Sequence, residues 1–143
     1  MKNRNPVVHF ELPAEDKKRM ADFYSEAFSW EPHFLGEEMG NYVTVSTAET
    51  DKDGMIQQKG AINGGFYMKN PDSPVNGTNL VIAVEDINEH MNIIRNAGGE
   101  VLGEPVNIPG VGALVYFRDT EGNTCSILQP IMPMNNNAGN NRI

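Results

Sequence analysis

The sequence is poor in cysteine and in long apolar runs, and each shortage excludes a class of protein. Its single cysteine, Cys125, excludes an internal disulfide framework. The apolar runs fall well short of the roughly 20 residues that a membrane-spanning helix needs, and no apolar segment follows the basic N-terminus as it would in a secretory signal. We therefore expect a cytoplasmic protein without a membrane partner.

Positive charge is also scarce. The chain has 11 Lys and Arg residues against 19 Asp and Glu residues, a formal net charge of −8, with no basic cluster. Because nucleic-acid binding depends on clustered basic side chains that neutralise phosphates, no nucleic-acid partner is expected.

What remains is the composition of one globular domain. The 143 residues are 39% hydrophobic and 21% charged, and a chain of this length can bury about 68% of its unfolded surface. We assign residues 1–131 to a single domain. The polar, asparagine-rich segment 132–143 is predicted to be a disordered tail.

Two stretches of this domain share one pattern. In each, a strand-like segment (6–12 and 78–84) precedes a helical segment (16–29 and 87–97), and Glu15-Asp16 aligns with Glu85-Asp86 at an offset of 70 residues. Three further strands follow each helix, near 31–35, 41–47 and 61–69 in the first half and near 100–108, 112–118 and 123–129 in the second. The pattern predicts an α+β fold of two tandem βαβββ modules, about 6–70 and 77–130. The alternative is an ordinary α+β domain with accidental internal similarity.

Helical periodicity predicts which face of the first helix is buried. Its apolar residues recur at i, i+3, i+4, i+7 and i+8; they are Met20, Phe23, Tyr24, Ala27 and Phe28. We expect these residues to pack on the sheet.

Strand alternation places polar side chains on the opposite face of the sheet. If Phe10 and Leu12 pack on the first helix, His9 and Glu11 point the other way. The offset of 70 makes Asn79 the counterpart of His9. An imidazole and a carboxylate two residues apart on one strand face are suited to acid–base chemistry, so His9 and Glu11 are the candidate catalytic residues. The alternative is a His9 that is a structural residue hydrogen-bonded to a neighbour, and a Glu11 that faces solvent.

Two further residues complete the candidate binding set. Ser126 lies on the final strand, after a type I turn predicted from Asp119 to Gly122. Tyr67 is expected to bring its hydroxyl to a pocket, although core packing is an equal alternative. His33 and His90 are expected to lie on the surface without a role.

Several stretches resemble a known superfamily. These stretches are "VVHFELPAEDKKRMADFYSEAFSW", "AINGGFYM", "IRNAGGEVLGEPVNIPGVGALVYFRDTEGN" and "SILQP". They are similar to the vicinal oxygen chelate superfamily, which includes glyoxalase I, extradiol dioxygenases and bleomycin-resistance proteins. The likeness is greatest to small bacterial glyoxalase-like members. It implies a curled eight-stranded mixed sheet around one cavity, helices on the outer face, and a homodimer that covers exposed strand edges.

The resemblance also indicates where metal-using members place their ligands, one on the first and one on the last strand of each half. These positions fall on His9, Asn79 and Ser126, and on an unfixed position within 64–67. His9 is a good ligand for zinc, nickel or iron, whereas the amide of Asn79 and the hydroxyl of Ser126 are poor ones. We therefore predict no cofactor; the alternative is a weakly bound divalent metal.

A further position bears on the substrate. Pro13 stands where glyoxalase I has an arginine that binds the glutathione carboxylate, and proline cannot supply those bidentate hydrogen bonds. Lactoylglutathione lyase activity is therefore not expected.

Three functional hypotheses follow. The leading one is a metal-independent protein that holds a small organic ligand in a cavity lined by His9, Glu11, Asn79 and Ser126. The alternatives are a metal-dependent lyase or dioxygenase with a degenerate site, and a non-catalytic protein that sequesters a drug or metabolite. The sequence leaves open whether the protein is an enzyme and which ligand it takes.

Overall fold

A computed structural model describes residues 4–53 and 55–131. The predicted tail, 132–143, lies outside these residues. The described residues contain two α-helices, eight strands and a short 3₁₀ turn at Glu37–Met39. In chain order the helices and strands are β1 Val7–Ala14, α1 Lys17–Phe28, β2 Glu31–Phe34, β3 Val43–Ser46, β4 Asn63–Met68, β5 Asn79–Ala83, α2 Ile87–Asn96, β6 Glu100–Ile108, β7 Gly112–Arg118 and β8 Thr124–Pro130.

The predicted fold class is confirmed. The order is βαβββ twice, and the eight strands pair in both parallel and antiparallel fashion, which is α+β architecture. By backbone contacts the chain divides into two compact units. We call residues 9–78 the N-terminal unit, and residues 79–131 together with 4–8 the C-terminal unit.

The N-terminal unit has the strand order β2-β3-β4-β1. β1 and β4 are parallel, and β3 pairs antiparallel with both β2 and β4. The core beneath α1 combines small, β-branched and aromatic residues; its buried members are Ala14, Ala21, Val43, Val45 and Phe66.

The C-terminal unit repeats this plan with the order β5-β8-β7-β6. β5 and β8 are parallel, and β7 pairs antiparallel with β6 and β8. The buried residues of its core beneath α2 are Val84, Ile87, Met91, Val115 and Ile127. The start of the chain joins this unit, because Ala83 N donates to Pro6 O at 2.9 Å and Asn5 Nδ2 donates to Ala83 O at 3.0 Å.

Both helices begin in the same way. The side chain of Asp16 accepts a hydrogen bond from Arg19 N, and that of Asp86 accepts one from Glu89 N, each at 3.0 Å. Each aspartate therefore satisfies one of the amide donors that a helix leaves unpaired at its first turn. The two caps are 70 residues apart, as the sequence repeat predicts.

The predicted buried face of α1 is partly wrong. Phe23 and Phe28 are 57% and 60% exposed, Ala27 is exposed as well, and Ala21 is the buried residue of the helix. Trp30 stacks on Tyr24 with ring centroids 4.7 Å apart and joins the core beside it. Because Ala21 lets the helix approach the sheet closely and Trp30 fills the adjoining space, the rings of Phe23 and Phe28 are left on the solvent side.

The turn before β8 forms as predicted. Gly122 N donates to Asp119 O at 3.2 Å, and the Asp119 carboxylate accepts hydrogen bonds from Glu121 N and Asn123 N at 2.9 Å. Hydrogen bonds from Asn123 lower the pKa of Asp119. The turn sets the direction of β8 and hence the position of Ser126.

Nowhere in the described residues is there a helix with both the length and the apolar character needed to cross a membrane.

Candidate functional site

The polar side chains that the sequence predicted on the inner strand face are buried. His9 is 2% exposed and Glu11 is 6% exposed. They lie two residues apart on β1, and their register partners on β4 are Asn63 and Gly65. Phe10, between them, packs on the core under α1. Glu11 is therefore withdrawn from solvent, contrary to the alternative in which it faces water.

His9 has a hydroxyl partner that sequence reasoning missed. Its Nε2 lies 2.9 Å from the Tyr42 hydroxyl, 33 residues further along the chain. Its other ring nitrogen, Nδ1, is buried and has no hydrogen-bond partner among the described residues. Burial lowers the pKa of His9 to about 4, because the charged imidazolium would lose its hydration. At neutral pH the ring is uncharged.

The register of β4 identifies the position that the sequence left unfixed. Ser126 pairs with Val81 on β5, and Val81 is the repeat counterpart of Glu11. Since Glu11 pairs with Gly65, Gly65 is the first-half counterpart of Ser126. The fourth position of the family pattern thus has no side chain.

Tyr42 occupies the space that a side chain at Gly65 would need. A Cβ placed on Gly65 would come within 2.0 Å of the Tyr42 hydroxyl oxygen and 2.2 Å of its Cζ. Glycine within a strand marks such close approaches. The pair Gly64-Gly65 was thus the signal in the sequence for a neighbouring ring, although it does not say which ring.

In the C-terminal unit, the counterparts of His9 and Gly65 are Asn79 and Ser126. Both are buried, and the Ser126 hydroxyl donates to Asn79 Oδ1 at 3.1 Å. In each unit, therefore, the first-strand residue shares a hydrogen bond with a hydroxyl, from Tyr42 or from Ser126. The structure thus groups His9 with Glu11 and Tyr42, and Asn79 with Ser126. That one cavity holds both groups stays a prediction.

Tyr67 lies on β4 beside Pro13 and is half-buried. Its hydroxyl donates to Gly77 O at 2.6 Å. Burial raises the pKa of Tyr67, and the negative charge of Glu11 raises it further. The hydroxyl is thus engaged with the backbone, and its predicted role in ligand binding stays a prediction.

Comparison with known proteins bears on the family. Residues 7–127 match the model of the Glyoxalase/Bleomycin resistance protein/Dioxygenase superfamily. A glyoxylase-like domain-containing protein from Didymella fabae is 31% identical over 122 residues, which cover 85% of this chain and 91% of that protein.

Solved structures resemble this chain in fold. A methylmalonyl-CoA epimerase variant from Streptomyces coelicolor, in complex with 2-nitronate-propionyl-CoA, has a TM-score of 0.68 at 18% identity, covering 91% of this chain and 97% of that one. The methylmalonyl-CoA epimerase from Mycobacterium tuberculosis has a TM-score of 0.64 at 12% identity, covering 88% of each chain. At these identities the likeness concerns the fold alone.

The chain belongs to the glyoxalase/bleomycin resistance protein/dioxygenase superfamily, as the sequence motifs indicated.

The side chains at the positions where some members of this superfamily bind a divalent metal do not fit such an ion. Throughout residues 4–53 and 55–131, no three His, Cys, Asp or Glu side chains are grouped so that they could hold one ion. Gly65 offers no ligand, and Tyr42 is hydrogen-bonded to the His9 nitrogen Nε2. The absence of a resident metal stays a prediction.

Proposed function

We propose that this protein binds a small polar organic molecule without a resident metal ion. The binding group is the polar face of β1, where His9 contributes an imidazole and Glu11 a carboxylate. Membership of a superfamily that includes bleomycin-resistance proteins supports the binding of a small molecule as such.

The observation that carries this proposal is the buried Nδ1 atom of His9, which has no hydrogen-bond partner among the described residues. A buried polar atom without a partner costs about 1–3 kcal/mol of desolvation that no interaction offsets. Such an atom in a native protein calls for an explanation, and a functional ligand is one. Since the imidazole is neutral, it offers a hydrogen bond rather than a charge.

A second candidate function is proton transfer to and from the same ligand. The observation that favours it is the burial of two ionisable groups, His9 and Glu11, on one strand face. The Glu11 carboxylate would remove a proton from a ligand C–H or O–H group, the bonding electron pair would stay on the ligand, and Glu11 would return the proton. No redox partner is needed for this exchange.

The experiment begins with the purified full chain. Ligand-observed NMR against a set of small alcohols, amides and carboxylic acids would identify a binder, and elemental analysis of the same sample would measure metal content. We expect His9→Ala to weaken affinity several-fold, because one hydrogen bond is worth about 0.5–1.5 kcal/mol.

The matched controls are His33→Ala and His90→Ala, which remove histidines outside the polar face of β1 and should leave affinity unchanged. Equal binding by His9→Ala and the parent would contradict the proposal. One zinc, nickel, iron or manganese ion per chain, lost in His9→Ala, would contradict its metal-independent part. Deuterium uptake from D₂O into the bound molecule, lost in Glu11→Gln, would support the proton-transfer candidate.

A further inference from the structure

We infer that Tyr42 sets the hydrogen-bonding role of His9: its phenol donates to Nε2, keeps the ring proton on Nδ1, and so makes His9 a donor for a neutral carbonyl oxygen of the ligand. This inference deepens the proposed function and rests on it. It names the ligand chemistry and a positioning residue that the sequence did not reveal.

The first step is that the position of Tyr42 is built into the fold. Its ring lies over Gly65, so close that a Cβ at residue 65 would overlap the hydroxyl oxygen and Cζ. The adjoining residue Val43 begins β3 and is fully buried, which anchors the backbone next to the ring. The buried Val43 therefore fixes the backbone beside Tyr42, and the missing side chain at Gly65 leaves the space in which the phenol reaches His9.

The second step is the direction of the hydrogen bond. The Tyr42 oxygen and His9 Nε2 are 2.9 Å apart. A phenol can donate one proton, and an unprotonated imidazole nitrogen is an acceptor. The contact fits an O–H···N bond as well as an N–H···O bond; in the first, which we infer, the buried and neutral ring carries its single proton on Nδ1.

The third step follows from the surroundings of that proton. Nδ1 then carries a buried N–H donor, and none of the described residues accepts from it. The complementary ligand atom is an acceptor oxygen. Glu11, 6% exposed and on the same strand face, disfavours an anionic acceptor, and the chain as a whole has a net charge of −8. A neutral carbonyl oxygen, as in an amide, ester or ketone, fits both conditions.

The test reads the His9 tautomer directly. A long-range ¹H–¹⁵N NMR spectrum of the full ¹⁵N-labelled chain at pH 7 distinguishes protonated from unprotonated ring nitrogens, and His9→Gln assigns the signals. We expect Nδ1–H in the parent and a shift towards Nε2–H in Tyr42→Phe, which keeps the ring and removes the hydroxyl. Gly65→Ala, which forces the ring away, should have the same effect.

The matched control is Tyr24→Phe. Tyr24 belongs to the same unit, but its ring stacks on Trp30 on the helix side of the sheet, so the His9 signals should not change. An Nε2–H tautomer in the parent, or a tautomer unchanged in both Tyr42→Phe and Gly65→Ala, would overturn the inference and leave the proposed function standing.

Two probes separate the inference from the proposed function. We expect acetamide, a neutral carbonyl compound, to shift the His9 ring signals of the parent at concentrations where acetate does not, and to bind at least several-fold more weakly to Tyr42→Phe. A preference for acetate would overturn the assignment of a neutral carbonyl. A third outcome would overturn the proposed function instead. In it, His9 has the expected tautomer, but neither probe shifts its signals and no compound of the wider set binds.

Discussion

Burial of His9 makes the stability of the protein depend on pH in a window set by one side chain. Its pKa is about 4 in the folded protein and about 6.5 in an unfolded chain. Between these values the unfolded chain binds a proton that the folded protein does not, so the free energy of unfolding falls as the pH is lowered. The full loss is about 3 kcal/mol, reached near pH 4.

We expect this loss to disappear in His9→Gln, which keeps a neutral hydrogen-bonding side chain. Urea unfolding at several pH values from 7 to 4 measures it as the difference between parent and variant, which cancels the titration of the carboxylates common to both. His33→Gln, at an exposed position, is the control and should follow the parent. Parallel pH profiles for the parent and His9→Gln would show that His9 titrates normally.

The contact between Gly65 and Tyr42 predicts a coupled pair of substitutions. Gly65→Ala places a Cβ on the Tyr42 ring and should destabilise the protein by about 1–3 kcal/mol through overpacking. In a Tyr42→Ala background the same substitution should cost much less, because the ring is gone. Chemical unfolding of the four proteins in this cycle measures the coupling.

Gly77→Ala is the matched control for that cycle. A Cβ at Gly77 meets no atom within 4 Å, so its effect should be small and independent of Tyr42. A cost for Gly65→Ala that is equal in both backgrounds would show that Tyr42 does not occupy this space.

At the scale of elements, removal of either helix cap is expected to lower the stability of the protein by a similar amount. Asp16→Ala and Asp86→Ala each remove a carboxylate that accepts a helix amide at 3.0 Å, and each should lower stability by about 0.5–2 kcal/mol. Asp22→Ala breaks an exposed pair with Lys18, which solvent screens, and should cost less than either cap variant. Thermal unfolding ranks the three variants, and an Asp22→Ala loss that matches the cap variants would contradict this order.

The elements were predictable because their signals are local. A capping aspartate and a periodic apolar face fall within a dozen residues of sequence, and both helices and all eight strands of the described residues were predicted to within about two residues. The face of α1 was misjudged because Trp30, beyond the end of the helix, competes for the same space. This competition arises from tertiary packing, so the periodicity of the helix sequence alone does not predict it.

The candidate site was predictable only in part, for a related reason. Alternation along β1 placed His9 and Glu11 on one buried face, because the period of a strand is two residues. The register of β4 was not predictable, since 47–62 joins β3 to β4 whereas 119–123 joins β7 to β8, and this difference breaks the offset of 70. Tyr42 was missed because its contact with His9 joins residues that are distant in sequence.

At the scale of the whole molecule, we predict a homodimer. β2 and β6 each stand at the end of the strand order in their unit, and each pairs on one side only among the described residues. Unpaired strand edges invite association with another chain, and two-fold dimers are the commonest soluble oligomers. Light scattering on the full chain should give twice the mass of one chain at micromolar concentration; a monomer across that range would contradict the prediction.

The opening strand has a consequence for dissecting the protein. Residues 4–8 belong with the C-terminal unit, where Asn5 and Pro6 bond to the backbone of Ala83, while the rest of β1 belongs to the N-terminal unit. If the gene were split near residue 77, the downstream fragment would therefore lack residues 4–8, which belong to its unit in the intact protein. Co-expressed, the two fragments should complement each other as a split protein does; expressed alone, the downstream fragment should be recovered folded only when a peptide of residues 4–8 is added in trans.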